Sequence, residues 1–237
     1  MKEAGGNLPE GTLFVVSTPI GNLQDMTLRA ADVLSNVDLI AAEDTRHTRV
    51  LLQHYDIRTP MTSYHDFNKA KKIPILIEKL KGGTKIAVVS DAGTPGISDP
   101  AYKLIEACVE NNVPIEVIPG ATAFVSALIL SSLPTDRFAF EGFLPRKKGR
   151  RKRIEALKDD PRTLIFYESP YRLAKTIEDL AHAFGNRRAA LIKEITKKFQ
   201  EVNRGTLLEL KSRLTEMVIK GEFVLVVEGK GKDWKSE

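Results

Sequence analysis

Five short polar clusters in this 237-residue chain hold the residue types that bind ligands or move protons. They are Thr18-Pro-Ile-Gly-Asn22, Glu43-Asp-Thr-Arg46, His65-Asp-Phe-Asn68, Ser90 to Asp99, and Pro119-Gly-Ala-Thr122. Asp44 and His65 are the candidate proton acceptors, because carboxylates and imidazoles are common general bases and an ordinary histidine titrates near 6.5. Arg46 carries a planar fork that grips a phosphate through two bonds. Plainer readings stand beside these. Asp44 is a preferred cap for a helix opening at Thr45, and Arg46 can pair with it on the surface. Ser90-Asp-Ala-Gly-Thr-Pro-Gly-Ile-Ser-Asp-Pro100 offers backbone amides rather than reactive side chains. It is longer than an ordinary βα connection and dense in residues that restrict the backbone, which favours a ligand loop. Around Pro19, Gly21 and Asn22 there is no G-x-G-x-x-G, so a dinucleotide site is a poor reading.

Elements that can position these clusters follow from the apolar runs. Short β-branched strands are predicted at Thr12–Ser17, Asp38–Ala42, Met61–Tyr64, Lys85–Val89 and Ile115–Ile118. Helices are predicted between them, at Leu28–Val37 capped by Thr27, from Thr45 to about His54, at Ile73–Leu80 with Pro74 in the first turn, and from Pro100 with Asp99 as cap. An apolar helix, Ala123 to Leu130, follows the fifth strand. Strict alternation of strand and helix predicts a parallel five-stranded α/β sheet covered on both faces. All five polar clusters then fall at the carboxyl ends of strands, which is where such sheets bind ligands.

Ser131-Ser-Leu-Pro-Thr-Asp136 breaks the alternation and places a domain boundary after residue 134. Domains are thus expected at 1–134 and 135–237. In the second, strands are expected at Phe138–Glu141, Thr163–Tyr167, Ala189–Ile195 and Phe223–Val227, with helices at Arg151–Leu157, Leu173–Phe184 and Leu207–Lys220. The sheet is expected to be mixed. Lys193 and Glu194 read as a possible plain ion pair, and the polar tail from Gly229 is expected to fray.

Composition narrows the classes. Apolar residues at 42% and charged residues at 28% suit an ordinary soluble globular protein. No apolar run approaches the roughly 20 residues that span a bilayer, and the first residues lack a signal-peptide core. Cys108 is the single cysteine, so disulfides within the chain are excluded, a cysteine-based zinc site is disfavoured, and a reducing cytoplasm fits. No metal site is expected. The formal charge of +5 permits a polyanionic partner, and Arg146-Lys-Lys-Gly-Arg-Arg-Lys-Arg153 puts seven cations in eight residues. That run is either a phosphate-binding arm or a solvated helix start.

Six motifs in one order carry a family resemblance. Thr18-Pro-Ile-Gly-Asn-Leu, Ala42-Glu-Asp-Thr-Arg, Ser90 to Pro100, Pro119-Gly-Ala-Thr, Phe140-Glu-Gly-Phe-Leu-Pro-Arg and Phe166-Tyr-Glu-Ser-Pro-Tyr-Arg-Leu resemble the ribosomal RNA small subunit methyltransferase I family. The resemblance covers about residues 11 to 229. It implies the two-domain tetrapyrrole-methylase fold, with S-adenosylmethionine held in a cleft between the domains. It further implies 2′-O-methylation of a cytidine in 16S ribosomal RNA, either naked or in the small subunit, by a cytoplasmic homodimer. Cofactor contacts carried over residue by residue fall on Pro19, Ile20, Gly93, Thr94, Ile97, Thr122, Ala123, Phe166 and Tyr167. One position departs from the pattern: the family's Tyr-His-x-His-Asn is Tyr64-His65-Asp66-Phe67-Asn68 here, with Phe67 in place of the second histidine. Two other readings remain open. One keeps the fold and methylates a corrinoid precursor or a translation-factor side chain; the other is an RNA-binding protein without catalysis.

Overall fold

Short apolar strands walled off by turns build the first sheet of the computed structural model, which describes residues 8–231. The N-terminal segment and the part of the expected frayed tail beyond Gly231 lie outside the described residues. Strands β1 (Leu13–Val16), β2 (Leu39–Ala42), β3 (Met61–Ser63), β4 (Ile86–Val89) and β5 (Ile115–Ile118) pair in parallel in the order β3-β2-β4-β1-β5. Helices α1 (Leu28–Asn36), α2 (Thr45–His54), α3 (Lys69–Lys81) and α4 (Ala101–Glu110) make the crossovers. Strand alternation divides the core in two. Phe14, Val16, Ile40 and Val89 pack with Val33 and Leu34 of α1 and Leu51 and Leu52 of α2. Leu13, Val15, Ile86 and Val88 pack with Leu76 and Leu80 of α3 and Leu104 and Cys108 of α4. Both faces of β1, β2 and β4 are therefore covered, which is why those strands are apolar throughout.

The Thr27 cap is found as predicted, whereas α4 starts one residue later than expected, with Pro100 at the cap position and Asp99 just before it. Thr27 Oγ1 accepts the Ala30 N–H at 3.1 Å, and Asp99 Oδ1 accepts the Ala101 N–H at 2.8 Å. One helix starts earlier than its apolar spacing predicts. The Lys69 N–H donates to the His65 carbonyl and the Lys72 N–H to the Asn68 carbonyl, so α3 is already wound four residues before Ile73. Pro74 consequently lies inside the helix rather than in its first turn, where its ring removes the bond to the residue 70 carbonyl.

The second unit opens with α5 (Ala123–Ser131) and continues through β6 (Phe138–Phe143), α6 (Arg150–Leu157), β7 (Thr163–Glu168), α7 (Leu173–Phe184), β8 (Arg188–Lys193), β9 (Glu201–Thr206), α8 (Leu207–Arg213) and β10 (Phe223–Val227). Its sheet is mixed, ordered β6-β7-β10-β8-β9, with only β6 and β7 parallel. Leu164, Phe166, Leu191 and Leu225 face a core built by α6, α7 and α8. Helix α5 packs on β7, β8 and β10, and its Phe124 ring stacks on Phe140 at 4.6 Å. The compact units consequently divide between Thr122 and Ala123, one helix ahead of the break at Ser131–Asp136 that set the expected boundary.

Four details of this unit differ from expectation. β9 is a polar edge strand with no apolar alternation to announce it, and α8 stops at Arg213 instead of reaching Lys220. β8 ends at Lys193 because Glu194 and Thr196 adopt positive φ. Lys193 and Glu194 do not pair with each other: Lys193 Nζ bonds the Val218 carbonyl at 2.8 Å, and Glu194 takes Lys197.

Candidate functional site

The order of the first sheet creates a crevice. β1 leads through α1 to β2 on one side, and β4 leads through α4 to β5 on the other, while α1 and α4 cover opposite faces. β1 and β4 are neighbours, so their chains depart in opposite directions at the carboxyl edge. That is a topological switch point, the usual ligand position in an open α/β sheet.

The loops leaving β1 and β4 are stitched together there. The Thr18 N–H donates to the Gly93 carbonyl at 2.9 Å, and the Gly93 N–H returns to the Thr18 carbonyl at 3.1 Å. Ser17 Oγ lies 3.0 Å from Thr94 Oγ1, which lies 3.1 Å from Thr122 Oγ1. This chain of hydroxyls ties the ends of β1, β4 and β5. Gly93 sits at φ +84°, and a Cβ there would stand 3.4 Å from Ile20 Cγ2. Gly120 passes so close to β1 that a Cβ would fall 2.8 Å from the Ser17 Cβ. Asp99 closes the far side of the loop, accepting the Gly96 N–H at 2.9 Å as well as that of Ala101.

Of the expected cofactor residues, Pro19, Ile20, Gly93, Thr94 and Thr122 gather at this crevice. Ile97 lies exposed further along the same loop, and Ala123 opens α5 in the second unit. Phe166 and Tyr167 belong to the second sheet and point opposite ways. The Phe166 side chain is fully buried among the residues facing α7 and α8, so only its backbone is offered at the strand end. Tyr167 turns to the other face, edge-on to Phe140 and Phe143 at 4.9 and 5.7 Å. Burial pushes its hydroxyl up to about 12.

The two candidate bases are already engaged. Asp44 Oδ1 accepts the Arg46 N–H at 2.8 Å, capping α2, and Asp44 Oδ2 accepts from the Arg46 guanidinium at 2.8 Å. The cap and surface pair weighed from sequence are thus the geometry found, and Arg46's fork is held by Asp44. The Arg46 side-chain bond holds the Asp44 carboxyl well below the usual carboxylate range. His65 is fixed through Asn68. Asn68 Oδ1 accepts the His65 N–H at 2.9 Å and Asn68 Nδ2 donates to Ser63 Oγ at 3.1 Å, so the amide can only present its N–H to His65 Nε2, 3.1 Å away. The ring proton is therefore on Nδ1, which is buried and without a partner among the described residues. Phe67 stands exposed beside this ring, edge-on at 6.1 Å.

A group not singled out from sequence is Glu43. Its Oε2 accepts the Asp91 N–H at 3.2 Å, and Asp91 Oδ1 accepts the Asp44 N–H at 3.0 Å, lacing the ends of β2 and β4. Burial, then the charges of Asp91, Asp99 and Asp66, raise the Glu43 carboxyl above its ordinary value. Ser17 was missed too, although a hydroxyl ending an apolar strand was the available signal.

The Asp44 pair has a testable pH signature. A carboxyl depressed in the folded state contributes stability above its unfolded value of about 3.9 and loses it as pH falls through the folded one. In a carbon-13 titration Asp44 should stay ionised well below the ordinary Asp value of about 3.9. The stability deficit of Asp44→Asn should be present at neutral pH and shrink only in stronger acid. A carboxyl titrating near 3.9 would contradict the bidentate pair.

The family profile Tetrapyrrole (Corrin/Porphyrin) Methylases matches residues 12–211. A ribosomal RNA small subunit methyltransferase I from Halalkalibacterium halodurans is 50% identical over 229 residues, covering 96% of this chain and 79% of that protein. Its counterpart from Synechocystis is 52% identical over 221 residues, covering 92% and 79%. The chain belongs to the ribosomal RNA small subunit methyltransferase I family of tetrapyrrole methylases. Among solved structures, a uroporphyrin-III C-methyltransferase from Thermus thermophilus complexed with S-adenosylhomocysteine aligns with a TM-score of 0.65. It is 17% identical and covers 92% of this chain and 97% of its own, a likeness of fold. Within this family frame, the six motifs quoted from sequence fall on strand ends, loops or the turns that follow them. No helix among the described residues is long and apolar enough to cross a membrane.

Proposed function

We propose that this chain transfers the methyl group of S-adenosylmethionine to the 2′-oxygen of a cytidine ribose in 16S ribosomal RNA of the small subunit, as a cytoplasmic homodimer. The observation that carries the reading is an identity of about one half, over nearly the whole chain, to relatives bearing that methyltransferase's name. The crevice fits the cofactor by its donor set. The hydroxyls of Ser17, Thr94 and Thr122 suit a ribose, and Ile20 and Ile97 suit an apolar ring. Pro19, Ile20, Gly93, Thr94, Ile97 and Thr122 of the first unit would hold it, and the family resemblance adds Ala123, Phe166 and Tyr167 as contacts. Bound there, the cofactor supplies an electrophilic methyl on a sulfonium. The chain's own task is to align the acceptor oxygen, exclude water and take up one proton.

Asp44 and His65 meet that last need poorly as they stand, because Arg46 and Asn68 occupy their lone pairs. Glu43 keeps Oε1 without a hydrogen bond among the described residues, and burial already favours its protonated form. We assign it the proton, with Arg46 turned toward phosphate and His65 held as a neutral ring beside the acceptor. Glu43→Gln should then slow single-turnover methyl transfer more than Asp44→Asn or His65→Ala, with RNA affinity retained. The reverse order would return the base to those residues. The decisive test of the activity is incubation with labelled cofactor and small subunits from a strain lacking its own enzyme, followed by nucleoside mass spectrometry. Extra mass on the ribose of cytidine supports the reading, and extra mass on a base removes it.

A further inference from the structure

The second sheet has a carboxyl edge of its own. β6 and β7 are parallel, and both β7 and β8 run against β10, so β6, β7 and β8 end on the same side. Three large aromatic side chains stand in solvent there. Phe143 ends β6 and is 55% exposed, Tyr171 in the turn after β7 is 97% exposed, and Phe199 between β8 and β9 is 70% exposed. Isolated exposed apolar groups need no explanation, but a row of aromatics along one edge, set among cations, is a recognition pattern.

The turn carrying Phe199 is held in a strained shape. Glu194 and Thr196 lie at φ +50° and +65°. For a β-branched residue that conformation is an outlier, and it persists only where the surroundings impose it. They do so here. The Glu194 carboxylate accepts the Glu222 N–H at 2.9 Å and the Lys197 ammonium at 3.1 Å. Gly221 leaves the room that this carboxylate occupies. Gln200 Oε1 accepts the Thr196 N–H at 2.7 Å. Thr196 Oγ1 is left buried with no partner among the described residues. The outcome is a rigid turn that presents Lys198 and Phe199 outward, with the ammonium 5.7 Å from the ring centroid.

Most carboxylates at this edge are engaged, and Glu201 at the start of β9 lies 3.8 Å from Lys193. Glu168 is buried and bonded to Thr176 and Ser169, Glu194 and Glu222 hold Lys197, and Glu141 holds Arg153. Among the described residues no ion pair engages Arg146, Lys147, Lys148, Arg151, Lys152 or Lys198. From β6 to β8 is three strand spacings, about 14 Å. That is the length of roughly four nucleotides of a stacked strand.

We propose that this edge docks an unpaired RNA segment, with Phe143, Tyr171 and Phe199 as stacking platforms for its bases and the six free cations on its phosphates. The inference deepens the RNA reading above and rests on it. Bases in a duplex have no free faces, so the aromatics select single strands while the cations do not.

The experiment compares binding of a labelled oligocytidine and a hairpin duplex of equal length across a salt series. Phe199→Ala and Tyr171→Ala should each weaken oligocytidine binding by about fivefold or more, with the salt slope unchanged. Hairpin binding should stay as it was. Lys198→Ser should instead lower the slope by about 0.7 for the single strand. Equal losses on both RNAs, or none on the oligocytidine, overturn the proposal. So does a change of oligomeric state on sedimentation without a change in RNA affinity, which would assign the aromatics to contact between copies of the chain. Should Phe199→Ala unfold the turn, Phe199→Leu keeps the apolar bulk, removes the ring, and carries the same expectation. Wild-type chain that labels small subunits while the aromatic variants bind oligocytidine normally overturns this proposal alone. Wild-type chain that neither binds RNA nor labels subunits overturns the RNA reading with it.

Discussion

Replacing Gly93 by Val is expected to lower affinity for S-adenosylhomocysteine at least tenfold in a calorimetric titration. Two effects act at once. Gly93 sits at φ +84°, where an L side chain costs about 1–2 kcal/mol and a β-branched one more. Its Cβ would stand 3.4 Å from Ile20 Cγ2, and the paired bonds between Gly93 and Thr18 fix both loops, so relief of the contact moves the crevice itself. Strain alone must be separated from a damaged site. Gly83 provides the control, since it lies in the same unit at φ +92°, ahead of β4, with only a Glu10 side-chain oxygen within reach of a new Cβ. Gly83→Val should lose comparable stability and keep its cofactor affinity. If both variants bind the cofactor equally well, the β4 loop is not part of the site.

What could be read in advance depended on how each element is buried. Strands β1, β2 and β4 are covered on both faces, so Leu-Phe-Val-Val, Leu-Ile-Ala-Ala and Ile-Ala-Val-Val announce themselves as continuous apolar runs. β9, Glu-Val-Asn-Arg-Gly-Thr, is an edge strand held by its ladder to β8, and nothing in its side chains marks it. The same two-sided burial hides parity. Leu164, Ile165, Phe166 and Tyr167 are apolar or aromatic in succession, so sequence could not tell that Phe166 faces the core and Tyr167 the other side. Helix α5 is apolar almost all round, and its composition does not say which sheet it covers. At the site, glycines and prolines disclosed the loops because backbone constraints are local. The occupation of His65 Nε2 by Asn68 and of Asp44 by Arg46 was less accessible, because both bonds depend on how the chain turns after β3 and β2.

The cationic run 146–153 looks like one patch in sequence and is two kinds of residue in the fold. Arg150 is buried. Its Nε donates to Asp179 at 2.8 Å and its Nη2 to Thr176 Oγ1 at 2.9 Å, and Thr176 in turn donates to the buried Glu168 at 2.6 Å. Arg153 Nε is committed to Glu141 at 2.8 Å. Changing Arg150 to Ser removes its bonds to Asp179 and Thr176, leaving Asp179 with Lys175 at 3.5 Å, and should cost about 1–3 kcal/mol in chemical denaturation, as for other lost charged hydrogen bonds. Any loss of RNA binding in that variant would then be a loss of folded protein. The informative variant is the other set, with Arg146, Lys147, Lys148, Arg151 and Lys152 all changed to Ser. These are exposed, so each should shift stability by no more than about 0.5 kcal/mol. If all five meet phosphates, the log–log salt dependence of single-strand RNA binding should flatten by about 3.5, at roughly 0.7 per contact. Cofactor affinity should not change, because the glycine loops of the first unit carry that pocket. A slope that stays where it was, in a protein that is still folded, would make the exposed cations solvated bystanders and move the phosphate contacts to Arg46 and the carboxyl edge of the first sheet.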